Sequence, residues 1–147
     1  MTDEKKRFAF LIQDSVQGFT KYCGLESISM ETGRFVTRIK IEKQHTQQDG
    51  FVHAGVIATM ADHTAGYASY TMVPEDMVIL TVEYKINFLK PAKGDYLECR
   101  SEVINRGKKL LVAESSVFAV DGDNETMVAR ALLTMASVPK KKVRGDD

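Results

Sequence analysis

From residue 79 to residue 138 the sequence keeps one pattern: apolar and polar residues alternate in long stretches, broken by short turns that contain glycine. ILTVEYKINFLKP (79–91) sets Leu80, Val82, Tyr84, Ile86 and Phe88 against Thr81, Glu83, Lys85 and Asn87. GDYLECRSEVI (94–104), LLVAESSVFAV (110–120) and TMVARALLTMASV (126–138) follow, with NRGKK and DGDN as the turns between them. A period of two is the mark of a strand with one face buried. Four such strands with short connections predict an antiparallel meander. Each exceeds the usual five or six residues, so the sheet is expected to curve strongly.

A curved sheet can wrap a slender helix, and the chain supplies one. Residues 54–70 contain no proline and are dense in helix formers. Ala54, Ala58, Ala61, Ala65, Gly66 and Ala68 leave it little bulk, so it can approach other elements closely on several sides. The polar segment HTQQDG (45–50) before it reads as a loop. Further upstream, RFVTRIKIE (34–42) alternates strictly and predicts another strand, alone or in a hairpin. Residues 5–23 place Phe8, Leu11, Ile12, Ser15 and Phe19 at helical spacing, which predicts one amphipathic helix ending at Gly24. The order is α+β, and 147 residues suit one domain over the whole chain. PKKKVRGDD (139–147) could be a targeting or phosphate-binding patch, but a solvated, disordered tail over 140–147 is the expectation.

Composition removes several function classes. The formal charge is zero, so no global field draws in nucleic acid or an anionic membrane. No apolar run approaches a membrane span, and the start MTDEKKRF is charged where a signal peptide turns apolar. Cys23 and Cys99 lack metal or redox spacing, which fits two free thiols in a reducing cytoplasm. Neither metal nor cofactor is expected.

The stretch FVHAGVIATMADHTAGYASY (51–70) holds His53, His63 and a lone carboxylate, Asp62, in an otherwise apolar run. His53-Ala54-Gly55, then Asp62, then the strand TVEYKINFLKP, resembles the hot-dog acyl-CoA thioesterases over residues 44–138. Their phenylacetate-pathway (PaaI-like) branch carries His-Gly-Gly, six residues, then a carboxylate. Two positions depart from the pattern: Ala54 stands for its first glycine, and Gln47 for an upstream asparagine. The resemblance implies a hot-dog fold, a curved antiparallel sheet around one central helix with an N-terminal helix beside it. It implies hydrolysis of an acyl-CoA by Asp62, Gly55, Gln47 and Thr81. His53, Phe88 and the turn Arg106-Gly107-Lys108 would contact the substrate or its CoA, which is substrate and not cofactor. It also implies homodimers that pair into homotetramers.

The chemistry can be argued from the residues too. Thioester hydrolysis needs donors for an oxyanion, and a base or nucleophile for the attack. The backbone N–H of Gly55, at a helix N-terminus, is a natural oxyanion donor. Asp62 can serve as general base or as nucleophile. It lies seven residues beyond Gly55, roughly 10 Å along a helix axis on nearly the same face. One carbonyl cannot meet both, so the expected site is shared between two antiparallel copies of the helix in a two-fold dimer.

Structural roles compete with these assignments. His53 can simply cap the helix, His63 be a packing or dimer-contact residue rather than a second base, and Gln47 cap its loop. Thr81 suits a strand on propensity alone, and Arg106, Lys108 and Lys109 need no role in a charged turn. Tyr67, Tyr70 and Met60 are expected to set pocket depth. The rival functions are an acyl-CoA binder that does not hydrolyse, a hot-dog dehydratase or hydratase, and a dimer that has lost activity.

Overall fold

A computed structural model describes residues 1–145 of the chain. Its elements run α1 (Asp3–Asp14), α2 (Gly18–Tyr22), β1 (Leu25–Glu31), β2 (Arg34–Lys40), α3 (Ala54–Tyr70), β3 (Met77–Phe88), β4 (Tyr96–Arg106), β5 (Leu110–Asp121), β6 (Asn124–Pro139) and α4 (Lys140–Arg144). The six strands form one antiparallel sheet in the order β1-β2-β4-β5-β6-β3. No helix among the described residues is long and apolar enough to cross a membrane.

Alternation locates the strands but misplaces one neighbour. β4, β5 and β6 are joined by short turns, as a meander requires. β3 does not lie beside β4. It crosses to the far edge and pairs with β6 from Met77↔Pro139 to Phe88↔Ala129, while β4 takes β2 as its partner. The connection after β3 explains this. Leu89 donates its N–H to the Val128 carbonyl of β6 at 2.7 Å, and Pro91 has no N–H with which to begin a tight hairpin. Residues 92–95 then run under the segment before α3, with Val52 donating to the Ala92 carbonyl and Ile41 to that of Asp95. β1 completes a hairpin with β2 through Gly33, whose φ of 75° suits glycine.

α3 lies against the inner face of this sheet. Ile57, Met60, Ala61, Thr64, Ala65, Ala68 and Ser69 are buried beneath it. The small residues let its backbone meet a strand hydroxyl directly, Ser115 Oγ donating to the Ala61 carbonyl at 2.7 Å, and beside it the Thr37 and Thr64 hydroxyls lie 2.8 Å apart. Each such buried bond contributes about 1 kcal/mol and fixes where the helix sits along the strands. The outer face is polar, and there Glu98 is clasped by Arg38 at 2.8 Å and Arg100 at 2.6 Å.

The N-terminal segment is two helices, where its periodicity predicts one. The break falls at Ser15, whose hydroxyl turns back to the Ile12 carbonyl at 2.8 Å. Such local bonding competes with helix continuation, and Thr20 Oγ1 secures the break by donating to the Ser15 carbonyl at 2.8 Å. At the other end, the segment expected as a disordered tail begins with one exposed turn of helix, α4. Asp146 and Asp147 of that expected tail lie outside the described residues.

Candidate active site

One face of α3 presents Gly55, Thr59, Asp62, His63 and Tyr67 to a cavity of about 710 Å³. The opposite wall comes from the α1–α2 junction, with Asp14 and Phe19, and from Tyr84 of β3. Asp62 is half-buried and receives a hydrogen bond from Thr81, Oγ1 to Oδ1 at 2.7 Å. β3 carries a bulge between Thr81 and Glu83. A bulge re-aims side chains locally, and this one brings both Thr81 and Tyr84 to the α3 side. Two residues expected to act together therefore meet, with one carboxylate oxygen held and the other left open.

The far end of the cavity is polar and tightly bonded. Tyr67 donates to Asp14 Oδ2 at 2.7 Å, and Gln17 donates to Asp14 Oδ1 at 2.8 Å. Burial, reinforced by Asp14, pushes the Tyr67 phenol far above its ordinary range, so it remains a donor. His63 Nε2 donates to the Ser15 carbonyl at 2.7 Å, and its ring packs 4.9 Å from that of Tyr67. Burial lowers the His63 pKa against the opposing pull of Ser15, Asp62 and Asp14, which keeps the ring neutral at pH 7. His63 is thus a packing residue, as expected, and also part of the cavity wall. Of the expected depth-setting residues, Tyr67 lines the cavity and Tyr70 stacks 5.1 Å behind it. Met60 is fully buried in the core cluster on the other side of the helix.

The start of α3 differs from the expectation at one atom. His53 is the N-cap, and its Nδ1 accepts the Gly55 N–H at 2.8 Å. The donor expected to face an oxyanion is closed by the capping imidazole. Ala54, next to it, donates its N–H to no group among the described residues. His53 and Ala54 face a second cavity of about 530 Å³ with Gln47, Phe88, Leu89 and Pro91. Gln47 Oε1 caps its own loop by accepting the Asp49 N–H, which leaves the side-chain amide N–H groups open.

Within one chain, then, the expected residues fall into three places. Asp62 and Gly55 line the first cavity, and Thr81 joins them only through its hydrogen bond to Asp62; Gln47, His53 and Phe88 line the second. Arg106, Gly107 and Lys108 form the β4–β5 turn and line neither cavity. The Asp14–Tyr67 pair escaped the sequence reading because its partners are distant in the chain and carry no spacing signal.

Comparison with known proteins agrees with this architecture. The sequence model of the thioesterase superfamily matches residues 49–126. A crystal structure of a thioesterase family protein from Silicibacter pomeroyi superposes with a TM-score of 0.86 at 32% identity, covering 90% of this chain and 98% of that one. A protein of Saccharolobus solfataricus named as an esterase is 31% identical over 122 residues, 83% of this chain and 86% of that protein. The 1,4-dihydroxy-2-naphthoyl-CoA hydrolase of Listeria monocytogenes is 24% identical over 85% of this chain and 99% of its own.

Proposed function

This chain belongs to the thioesterase superfamily and has its hot-dog fold, and from that membership we propose that it hydrolyses an acyl-CoA to the free acid and CoA, with Asp62 as the base. The observation that carries this reading is the Thr81–Asp62 hydrogen bond at 2.7 Å on the wall of the larger cavity. Thr81 fixes one carboxylate oxygen, and the other is free to take a proton from water as that water attacks the thioester carbon. The C–S bond then breaks, and the proton passes from Asp62 to the departing thiolate. If Asp62 attacked directly instead, it would expel the CoA thiolate and form a mixed anhydride, and opening of that anhydride by ¹⁸O water at the Asp62 carbonyl in a single turnover would label the enzyme's own carboxyl group. Thiol release from a panel of aryl, short, medium and long acyl-CoAs tests the activity. Release that Asp62→Ala abolishes is the expected result, and no release from any member refutes the reading.

The oxyanion site is assigned to the start of the partner's α3, through its N–H groups and the Gln47 amide. Gly55 and Asp62 of one helix are too far apart for one carbonyl. β3 is an outer strand of the sheet, with Leu80, Val82 and Tyr84 exposed at 44%, 58% and 43%. A long apolar strand with a free edge is a natural place for a second copy to pair. Two-fold pairing there sets two α3 helices antiparallel on one face of a continuous sheet, two sites per dimer. Mixing inactive Asp62→Ala with inactive Gly55→Leu under subunit exchange should restore activity in about a quarter of the sites. No recovery in exchanged dimers would remove the shared site.

One observation favours a second reading, a binder that does not hydrolyse: the Gly55 N–H is occupied by His53. In the hydrolytic reading the incoming carbonyl displaces the imidazole. The two readings part on His53→Ala, since a binder gains turnover only when that donor is released.

A further inference from the structure

Donors and acceptors are unevenly distributed on the wall of the larger cavity. At its α1–α2 end the side-chain donors are already engaged within the chain. Ser15 donates its hydroxyl to the Ile12 carbonyl and Thr20 donates to the Ser15 carbonyl, each at 2.8 Å. The Gln17 amide donates twice to Asp14, to its carbonyl at 3.0 Å and to Oδ1 at 2.8 Å. The Tyr67 hydroxyl goes to Asp14 Oδ2 and the His63 Nε2 proton to the Ser15 carbonyl, each at 2.7 Å. Tyr84 belongs to the other end. It lies on β3 between Thr81, which meets Asp62, and Phe88, which meets the start of α3.

What remains open at the α1–α2 end accepts. An ionised carboxylate has about four lone-pair sites, and Asp14 has filled one on each oxygen. It enters no ion pair among the described residues. With Nε2 as donor and the ring held neutral, His63 keeps Nδ1 as a further acceptor. A ligand that reaches this corner displaces water from a half-buried carboxylate, and only a donor replaces the bonds that the water made. The charge of Arg144 already acts on the Tyr67 phenol, so a second cation is disfavoured and a neutral hydroxyl fits best. Tyr67 follows Asp62 by five residues, about 7.5 Å along the helix axis, a span that an acyl group of about six carbons covers.

We infer that Asp14 is a specificity-determining residue, which selects acyl groups with a hydroxyl at their distal end and excludes those ending in a carboxylate. This rests on the thioesterase reading for the thioester at Asp62, and it adds the chemistry required of the far end of the acyl group. A distal hydroxyl donates to an open site of Asp14. A methyl end leaves that site dry and unfilled, and a carboxylate end meets like charge. Selection is thus built from one attraction and one repulsion at the same side chain.

The test reads affinity, so it does not depend on turnover. Calorimetry compares 6-hydroxyhexanoyl-CoA, hexanoyl-CoA and adipoyl-CoA on the Asp62→Asn protein, in which the proposed base is removed. The hydroxylated ligand should bind about tenfold or more tightly than hexanoyl-CoA, the scale of one hydrogen bond to a charged group, and adipoyl-CoA should bind most weakly. Adding Asp14→Asn, which keeps the size and an acceptor for Tyr67, should bring the first ratio close to one and recover adipoyl-CoA. Tyr67→Phe in the same background should preserve the preference, because it frees one more Asp14 lone pair. A structural fault alone would weaken all three ligands together. Equal affinities for the hydroxylated and plain ligands overturn the proposal, as does a preference that Asp14→Asn leaves intact or Tyr67→Phe abolishes. Failure to bind any of the three also overturns it. Thiol release by the unaltered chain separates the two readings: release without the preference sinks the role of Asp14 alone, and the preference in binding without release sinks hydrolysis alone.

Discussion

Asp62 and Thr81 show how two residues of ordinary chemistry become a unit through one hydrogen bond. Asp62→Asn should lower turnover on the order of 10²- to 10⁴-fold, the usual contribution of a positioned base, with the melting temperature little changed. Thr81→Val removes the bond and should cost about tenfold in kcat, whereas Thr81→Ser keeps the hydroxyl and most of the rate; steady-state kinetics on one acyl-CoA separates the two. His63 gives a pH prediction. Its pKa is lowered in the fold, first by burial, so the unfolded chain takes up its proton more readily than the folded one. The stabilisation is complete above the ordinary histidine value of about 6.5 and is lost as pH falls from there to the folded pKa. Melting temperatures measured from pH 8 to pH 5 should decline over that window. His63→Gln, which keeps a donor for the Ser15 carbonyl, should flatten the decline, and an unchanged slope would contradict this assignment. At this scale the sequence pointed to candidate residues but not to their contacts, and it missed the Asp14–Tyr67 pair. Asp62 stood out as a carboxylate in an apolar run, while the His53 ring on the Gly55 N–H is a rotamer choice that no spacing encodes.

The elements were legible to the extent that their signals are local. α3 runs from Ala54 to Tyr70 as its composition predicts, because helix propensity and the absence of proline act within a few turns. The alternating stretches became strands for the same reason. What alternation cannot carry is partnership. β3 looks like the first strand of a meander, and its place beside β6 depends on where the connection after Phe88 is tied. Likewise the break between α1 and α2 turns on Ser15, a residue that fits a helical face but bonds back onto it. The β4–β5 turn yields a prediction that belongs to the element. A Cβ at Gly107 would lie 2.6 Å from the Leu110 carbonyl oxygen, the acceptor of Gly107's own N–H. Gly107→Ala must therefore open that turn, at a cost of about 1–3 kcal/mol seen as a lowered melting temperature.

For the whole molecule the question is what covers β3. Val82, exposed at 58% on that outer strand, is a place to add charge without disturbing the core. Val82→Lys should oppose pairing at the edge, so light scattering should find a monomer, and activity should fall with the loss of the dimer. A Val82→Lys protein that stays dimeric would place the interface elsewhere. The same strand constrains how the molecule comes into being. Its partner among the described strands, β6, is made after β4 and β5, and Met77 waits for Pro139. β4, β5 and β6 can zip together from neighbouring turns, a low-contact-order nucleus, but ILTVEY must remain without a ladder until residues 129–139 have emerged. During that interval a β-rich run with a single charge, Glu83, is open on both edges, which is when aggregation and chaperone capture compete with folding. The strand proposed as the edge where two copies meet is thus also the most vulnerable segment of the nascent chain.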